Sequence, residues 1–383
     1  MKSLGRQTEP RGFAGAALFE GGPLEGEAEP RPLAPARWDW ARVRRVLVVR
    51  LRSIGDTVLA TPSLHALRRF LPDARIDVLL EDWVAPLLEG SDDVDRVLTV
   101  RRKSQSSRLR VARRLRAEGY DVAYNLHGGS TAALLVRASG ATHRVGYADY
   151  AYAALHNHGA PPSAQLWGME KTHSAEQQLA LLGWTGVPVT DRPASRLPIN
   201  EAVAAVVEQR LEDEAKLSPV QPFALIHPAA AFETKTWAAS NFARVVEHLA
   251  ARGLPTVAVA APGEEKVIDE VRAHTSAPLA AFTDLSLPEL TALAARAALF
   301  VGNDSGVAHI AAAVRVPQVV VFGSSNVAHW RPWTAAPAEV VREEMHCAPC
   351  PGYTCAEFGE PQCIRRVPVE RVLAAVERVM NTK

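Results

Sequence analysis

Val46 to Val49, inside VRRVLVVRLRSIGDTVLATPSL (residues 43–64), form an unbroken apolar run. Such a run predicts a strand buried on both faces in a parallel sheet. It empties into Ser53-Ile54-Gly55-Asp56, after which Ala60, Leu64, Leu67 and Leu71 recur at helical spacing. Thr61-Pro62 falls inside that spacing and predicts either an N-cap with proline in the first turn or a kink. The alternation continues with strands at 75–81, 96–100, 120–126 and 143–147 and a helix at 174–182. Three prolines between Thr185 and Asn200 interrupt it and predict a linker. A second series follows. Strands are expected at 223–227, 254–260, 298–301 and 318–322, and helices at 201–216, 241–252, 264–274, 287–297, 307–314 and 368–380. The pattern is α/β throughout: two doubly wound units in tandem, with strand ends facing across a cleft.

The expected domains are 39–190 and 200–366. A closing helix at 367–383 is expected to pack back towards the first. Residues 1–38, rich in Gly, Pro, Glu and Ala and without period, read as a disordered tail. Composition narrows the function classes. With 383 residues, a net charge of +1 and 22% charged residues, the chain lacks the overall basicity that nucleic-acid binding calls for. No apolar run approaches the roughly 20 residues of a membrane helix, so the expected location is the cytoplasm. One local feature departs from neutrality: Arg101 to Arg116 (RRKSQSSRLRVARRLR) holds eight basic residues and no acid. Leu109, Ala112 and Leu115 give it an apolar stripe. It reads either as a solvated helix packed through that stripe or as a cationic face that docks on anionic lipid, peripherally at the inner membrane, or on phosphorylated glycolipid.

Chemistry is expected where strand ends meet helix starts. Asp56 there is either a helix cap or a reacting carboxylate. Residues 227–237 (HPAAAFETKTW) offer small residues, free amides and Lys235, a pattern suited to phosphate. Ala261 to Glu265 (APGEE) places Glu264 and Glu265 at a helix start, as dipole complements or as ribose acceptors. Gly302 to His309 (GNDSGVAH) delivers Asp304 to a turn and opens a helix at Ser305-Gly306, with His309 in its first turns. Neither GxGxxG nor GxxxxGK[ST] stands at any strand–helix junction.

Three stretches together, VLVVRLRSIGDTVLATPSLHALRRFLP, IHPAAAFETKTWAASNFARVVEHL and FVGNDSGVAHIAAAVRVPQVVVFG, resemble glycosyltransferase family 9, the ADP-heptose:lipopolysaccharide heptosyltransferases. The resemblance covers roughly Val43 to the C-terminus. It implies two Rossmann-like domains of GT-B type facing across a cleft, with the acceptor on the first and an ADP-sugar on the second. Implied too is an inverting transfer to a lipopolysaccharide-core or other glycolipid acceptor that needs no metal or other cofactor. By the same resemblance Asp56 is the general base, set in a turn with Ser53 and Gly55 on the acceptor side. Lys235 binds diphosphate, and Glu264 or Glu265 the ribose. Asp304, Ser305, Gly306 and His309 surround sugar and diphosphate. Alternatives within reach of the same motifs are a GT-B sugar-nucleotide epimerase or hydrolase, and a non-catalytic nucleotide-sugar binding protein. Cys347, Cys350, Cys355 and Cys363, spaced x2, x4 and x7, leave open zinc, an iron–sulfur cluster or plain reduced thiols.

Overall fold

A computed structural model describes residues 23, 29–350 and 352–382. Twelve strands form two six-stranded sheets. The first contains β1 (Arg45–Val49), β2 (Arg75–Glu81), β3 (Arg96–Val100), β4 (Val122–Asn125), β5 (His143–Tyr147) and β6 (His158–Ala160). The second contains β7 (Ala224–His227), β8 (Thr256–Val259), β9 (Leu279–Phe282), β10 (Leu299–Asn303), β11 (Gln318–Phe322) and β12 (Ala338–Arg342). Their orders are β3-β2-β1-β4-β5-β6 and β12-β11-β10-β7-β8-β9, with every pairing parallel. The two sheets thus share one winding. Each reverses direction between its first and fourth strands, and ligands collect in the crevice beyond such a point.

The expected central strands are present because each is an apolar run buried on both faces. Strands β6, β9 and β12 were not anticipated, and each is the edge of a sheet. Edge strands bury less and need no such run; β12 exposes or half-exposes four of its five residues. At Thr61-Pro62 the helix does break. A short helix, Ile54–Val58, ends, and Thr61–Phe70 begins with Ala60 as its N-cap and proline in the first turn.

The basic segment forms the helix Gln105–Glu118, packed through Val111 and Leu115 with Ala112 beside them. Leu109, expected on that stripe, is 60% exposed. Part of the expected tail is tied down. Leu33 and Ala34 donate to Gly183 O, Val189 donates to Arg31 O, and the Arg37 guanidinium lies 4.2 Å over Trp184. Residues 1–22 and 24–28 lie outside the described part. The closing helix, Val369–Asn381, packs on the second domain, not back on the first. Val372, Ala375, Val376 and Val379 join the core beneath β7, β10 and β11, and Arg378 pairs with Glu339 of β12. Its apolar face matches the outer layer of that sheet, which would otherwise stand uncovered. Between Gly183 and Glu201 no helix or strand intervenes.

Candidate active site

On the first sheet the crevice is built around β1 and β4. Arg50 follows β1 directly, and its guanidinium donates to the Asp56 carboxylate and to Leu126 O. Ser53 donates to the other Asp56 oxygen from its amide (3.2 Å) and its hydroxyl (3.1 Å). The carboxylate therefore does close the first turn of helix Ile54–Val58, yet its side chain remains 21% exposed while Arg50 beneath it is 10% exposed. From β4, Asn125 Oδ1 accepts from the amides of His127 and Gly128 and shapes the turn. Gly128 has φ +77°, and an added methyl would stand 3.0 Å from the Tyr150 ring. Burial, reinforced by the Arg50 charge, pushes the His127 imidazole down to about 4, with Asp56 pulling the other way. Arg50 and His127 are thus neighbours of Asp56 that were not singled out as site residues from the sequence.

The second sheet presents the reverse arrangement. Lys235 sits on a 3-10 turn, Glu233–Lys235, and its Nζ lies 2.8 Å from Asp304 Oδ2. Ser325 donates to the same oxygen. Here the carboxylate is the buried member, 5% exposed, and the ammonium is 23% exposed. Asn303 locks the two loops together, accepting from the Trp237 amide and donating to Pro228 O. The Ser305 hydroxyl lies 3.0 Å from His227 Nδ1, and burial pushes His227 down to about 4. A cavity of about 420 Å³ adjoins, lined by Phe232, Lys235, Ser325, Asn326, Trp330 and Tyr353. An ammonium beside aromatic faces suits a base and a phosphate in one ligand.

Glu264 and Glu265 lie one strand further out, beyond β8. Glu264 accepts from the Ala261 amide (3.1 Å) and Glu265 from the Gly263 amide (2.9 Å), so both carboxylates turn onto their own loop. The structure joins Lys235 with Asp304 and leaves these two acids apart from them.

The two crevices meet at a tight seam. Helix Ile54–Val58 abuts helix Gly306–Ala313. A methyl added at Gly55 would lie 2.6 Å from the His309 ring, and one at Gly306 2.8 Å from Ile54 Cβ. Both positions need glycine because two backbones approach there. His309 is buried in this contact, and its Nδ1 has no hydrogen-bond partner among the described residues. Desolvation lowers its imidazole, while Asp304 from its own domain and Asp56 from the other raise it. Asp56 and the Asp304 loop are therefore electrostatic neighbours of the same ring. A second contact seals the seam: His173 Nε2 donates to Arg331 O (2.8 Å), His329 Nδ1 to Thr172 O (3.1 Å) and Trp333 Nε1 to Pro193 O (2.8 Å). The His173 ring stacks on Trp333 at 4.6 Å.

The four cysteines are free and line a second cavity, of about 330 Å³, that shares a wall with the first. Among the described residues, no three His, Cys, Asp or Glu side chains already converge as a metal site.

A family model, Glycosyltransferase family 9 (heptosyltransferase), matches residues 108–359. Lipopolysaccharide heptosyltransferase 3 of Escherichia coli is 30% identical over 303 residues, spanning 74% of this chain and 85% of that protein. Among solved structures, the glycosyl transferase family 9 protein of Veillonella parvula superposes with a TM-score of 0.78 at 22% identity, over 88% of this chain and 97% of the other. The E. coli ADP-heptose LPS heptosyltransferase II superposes with a TM-score of 0.72 at 22% identity, over 88% and 98%. These two show the same architecture of paired Rossmann-like domains facing a cleft, the GT-B type. On the strength of the family match and of the E. coli relative, this chain belongs to glycosyltransferase family 9.

Proposed function

We propose that this glycosyltransferase moves a heptose from ADP-heptose to a hydroxyl of a lipopolysaccharide-core acceptor, with inversion at the anomeric carbon. The observation that carries the reading is the pair of opposed charges at the seam. Asp56 on the first domain and Lys235 over Asp304 on the second are both part-exposed, and their charges act on the same His309 ring. Inversion requires a single in-line displacement, with a base on one face of the sugar and a stabilised leaving group on the other.

In this mechanism Asp56 takes the proton of the acceptor hydroxyl as its oxygen attacks the anomeric carbon. Arg50 and Ser53 hold the carboxylate in orientation. The bond to the diphosphate breaks on the opposite side, and ADP leaves. Lys235 and the amides opening helix Gly306–Ala313 take up the developing charge, so the step needs no divalent metal. Glu264 fits the ribose better than Glu265, because it is the half-buried one of the two. On the acceptor side, the loops after β1, β2 and β3 place Arg52, Arg101, Arg102 and Trp83 along one exposed rim around Glu81 and Asp82. That rim suits an acidic glycolipid. The exposed arginines 110, 113 and 114 extend it towards an anionic membrane surface.

The test incubates the protein with ADP-heptose and truncated core acceptors and follows released ADP and the anomeric configuration of the product. ADP release that depends on acceptor, gives the inverted anomer and persists in EDTA is the expected result. ADP release without acceptor would instead identify a hydrolase or epimerase, and tight donor binding without turnover a binding protein. Flotation with phosphatidylglycerol vesicles, lost at high salt, checks the membrane contact; flotation equal with neutral vesicles removes it.

A further inference from the structure

Between β12 and the short helix Gln362–Arg365 the described residues form no helix or strand. Connections this long without structure of their own are uncommon in compact domains unless they carry function. This one is attached at a few points. Cys350 N donates to Ser324 O (2.9 Å), Thr234 Oγ1 donates to Gly352 O (3.0 Å), and the Tyr353 ring meets Phe232 edge-on at 4.4 Å. Its ion pairs, His346 with Glu357, Glu343 with Arg371 and Glu344 with Arg342 among them, lie at the surface and contribute little.

The sulfurs are placed differently. Cys347, Cys350 and Cys355 are half-buried and Cys363 is buried, none is in a disulfide, and all four line the 330 Å³ cavity. Much of the remaining wall is apolar, with Ala348, Ala356 and Phe358. Four free thiols at the wall of one cavity, three of them on this connection, gather four soft donors in one place. As thiolates they are the donor set of a cation that neutralises them.

We propose that Cys347, Cys350, Cys355 and Cys363 bind one thiophilic divalent ion, zinc(II) or iron(II), as tetrahedral thiolates. The balance is simple: four S–H bonds give four protons to solvent, four metal–sulfur bonds form, and no electron moves. The thiols stand around the cavity without yet converging, so the ion draws the loop inward as it binds, in the way that metal binding is coupled to folding. Cys347 and Cys350, spaced x2, supply one side of the tetrahedron, and Cys355 and Cys363 the other.

The ion would be structural, with its effect transmitted through shared walls. Ser324, Cys350 and Gly352 line both this cavity and the one holding Lys235. Thr234, next to Lys235, is bonded by Ser324 Oγ (2.9 Å) and donates to Gly352 O. Drawing the loop onto an ion fixes Tyr353 and the Lys235 turn together. This second consequence rests on reading that pocket as the donor's; the ion itself does not.

The experiment purifies the whole chain under reducing, oxygen-free conditions and measures bound metal by mass spectrometry, which also tells zinc from iron. About one ion per chain is expected, with release when the thiols are titrated by a mercurial. Cobalt(II) loading should give the thiolate charge-transfer band and the visible bands of tetrahedral cobalt. Cys355→Ser and Cys363→Ser should each lose most of the metal, keep their circular-dichroism spectrum, and raise the KM for donor about tenfold. Substoichiometric metal with freely titrating thiols, or an intact mass showing disulfides, overturns the proposal. Metal at one equivalent in a protein inactive on every ADP-sugar leaves the ion site standing and removes the donor reading.

Discussion

The carboxyl edges of the two sheets carry the same components in opposite order. Each has a cation and an acid paired beside its first strand: Arg50 with Asp56 within one loop, and Lys235 with Asp304 between two. On the first domain the cation is the more buried member and the acid the more exposed; on the second the acid is buried and the cation the more exposed. One winding, used twice, therefore gives two half-sites of opposite sign. Burial decides which member is presented, and the buried member serves to aim the other. A third pair, Asp77 with Arg96, shows what such a pair does away from the seam. Asp77 is fully buried, Tyr120 donates to it as well, and the group simply ties β2, β3 and the residue ahead of β4 together.

Removing the presented acid should have the largest effect. Asp56→Asn keeps the size and the capping capacity of the side chain and removes its basicity. A fall in kcat of about 10²- to 10⁴-fold is expected, with donor affinity nearly unchanged. A small drop would reduce Asp56 to a cap and end the opposition of signs. Lys235→Ala should follow, lowering kcat by about 10²- to 10³-fold and weakening ADP binding by calorimetry. If stability falls and turnover does not, the pair belongs with Asp77 and Arg96 as structure.

Gly306→Ala tests the contact between the half-sites. In an ordinary helix this change gains about 1 kcal/mol. Here the methyl meets Ile54 at 2.8 Å, so a net loss of about 1–3 kcal/mol is expected in denaturant titration. Turnover should fall while ADP still binds. A gain in stability would mean that the seam is open in solution.

The smallest effect concerns acid. His127 and His227 are both held down to about 4 by burial, against an ordinary 6.5. The unfolded chain takes up protons below about 6.5 that the folded chain refuses until about 4. Stability present above that window is lost as the pH falls through it, on the order of a few kcal/mol for the two groups together. His227→Gln should flatten the loss between pH 7 and 4.5, and an unaltered slope would clear His227 of it.

Much of this was legible from residue order. Asp56, Lys235 and Asp304 stand at the ends of apolar runs, and apolar runs identify central strands directly. The edge strands β6, β9 and β12 escaped because half-exposed segments need no such run. Arg50 escaped for another reason: a lone arginine after a strand reads as solvated until Asp56 and Leu126 are seen around it. His173 and Trp333 were illegible in principle, since their partners lie 158 and 140 residues away in the chain. The closing helix showed which of its faces is apolar but not which sheet would receive it.

The connection between Gly183 and Glu201, which runs without helix or strand, has a kinetic consequence. It tethers one half-site to the other, so each meets its counterpart at an effective concentration on the order of millimolar. Docking at the seam then has little translational entropy left to overcome, and a contact worth only a few kcal/mol suffices to close it. Under the proposed mechanism, a closure that shallow can reopen within a turnover and let the spent nucleotide escape.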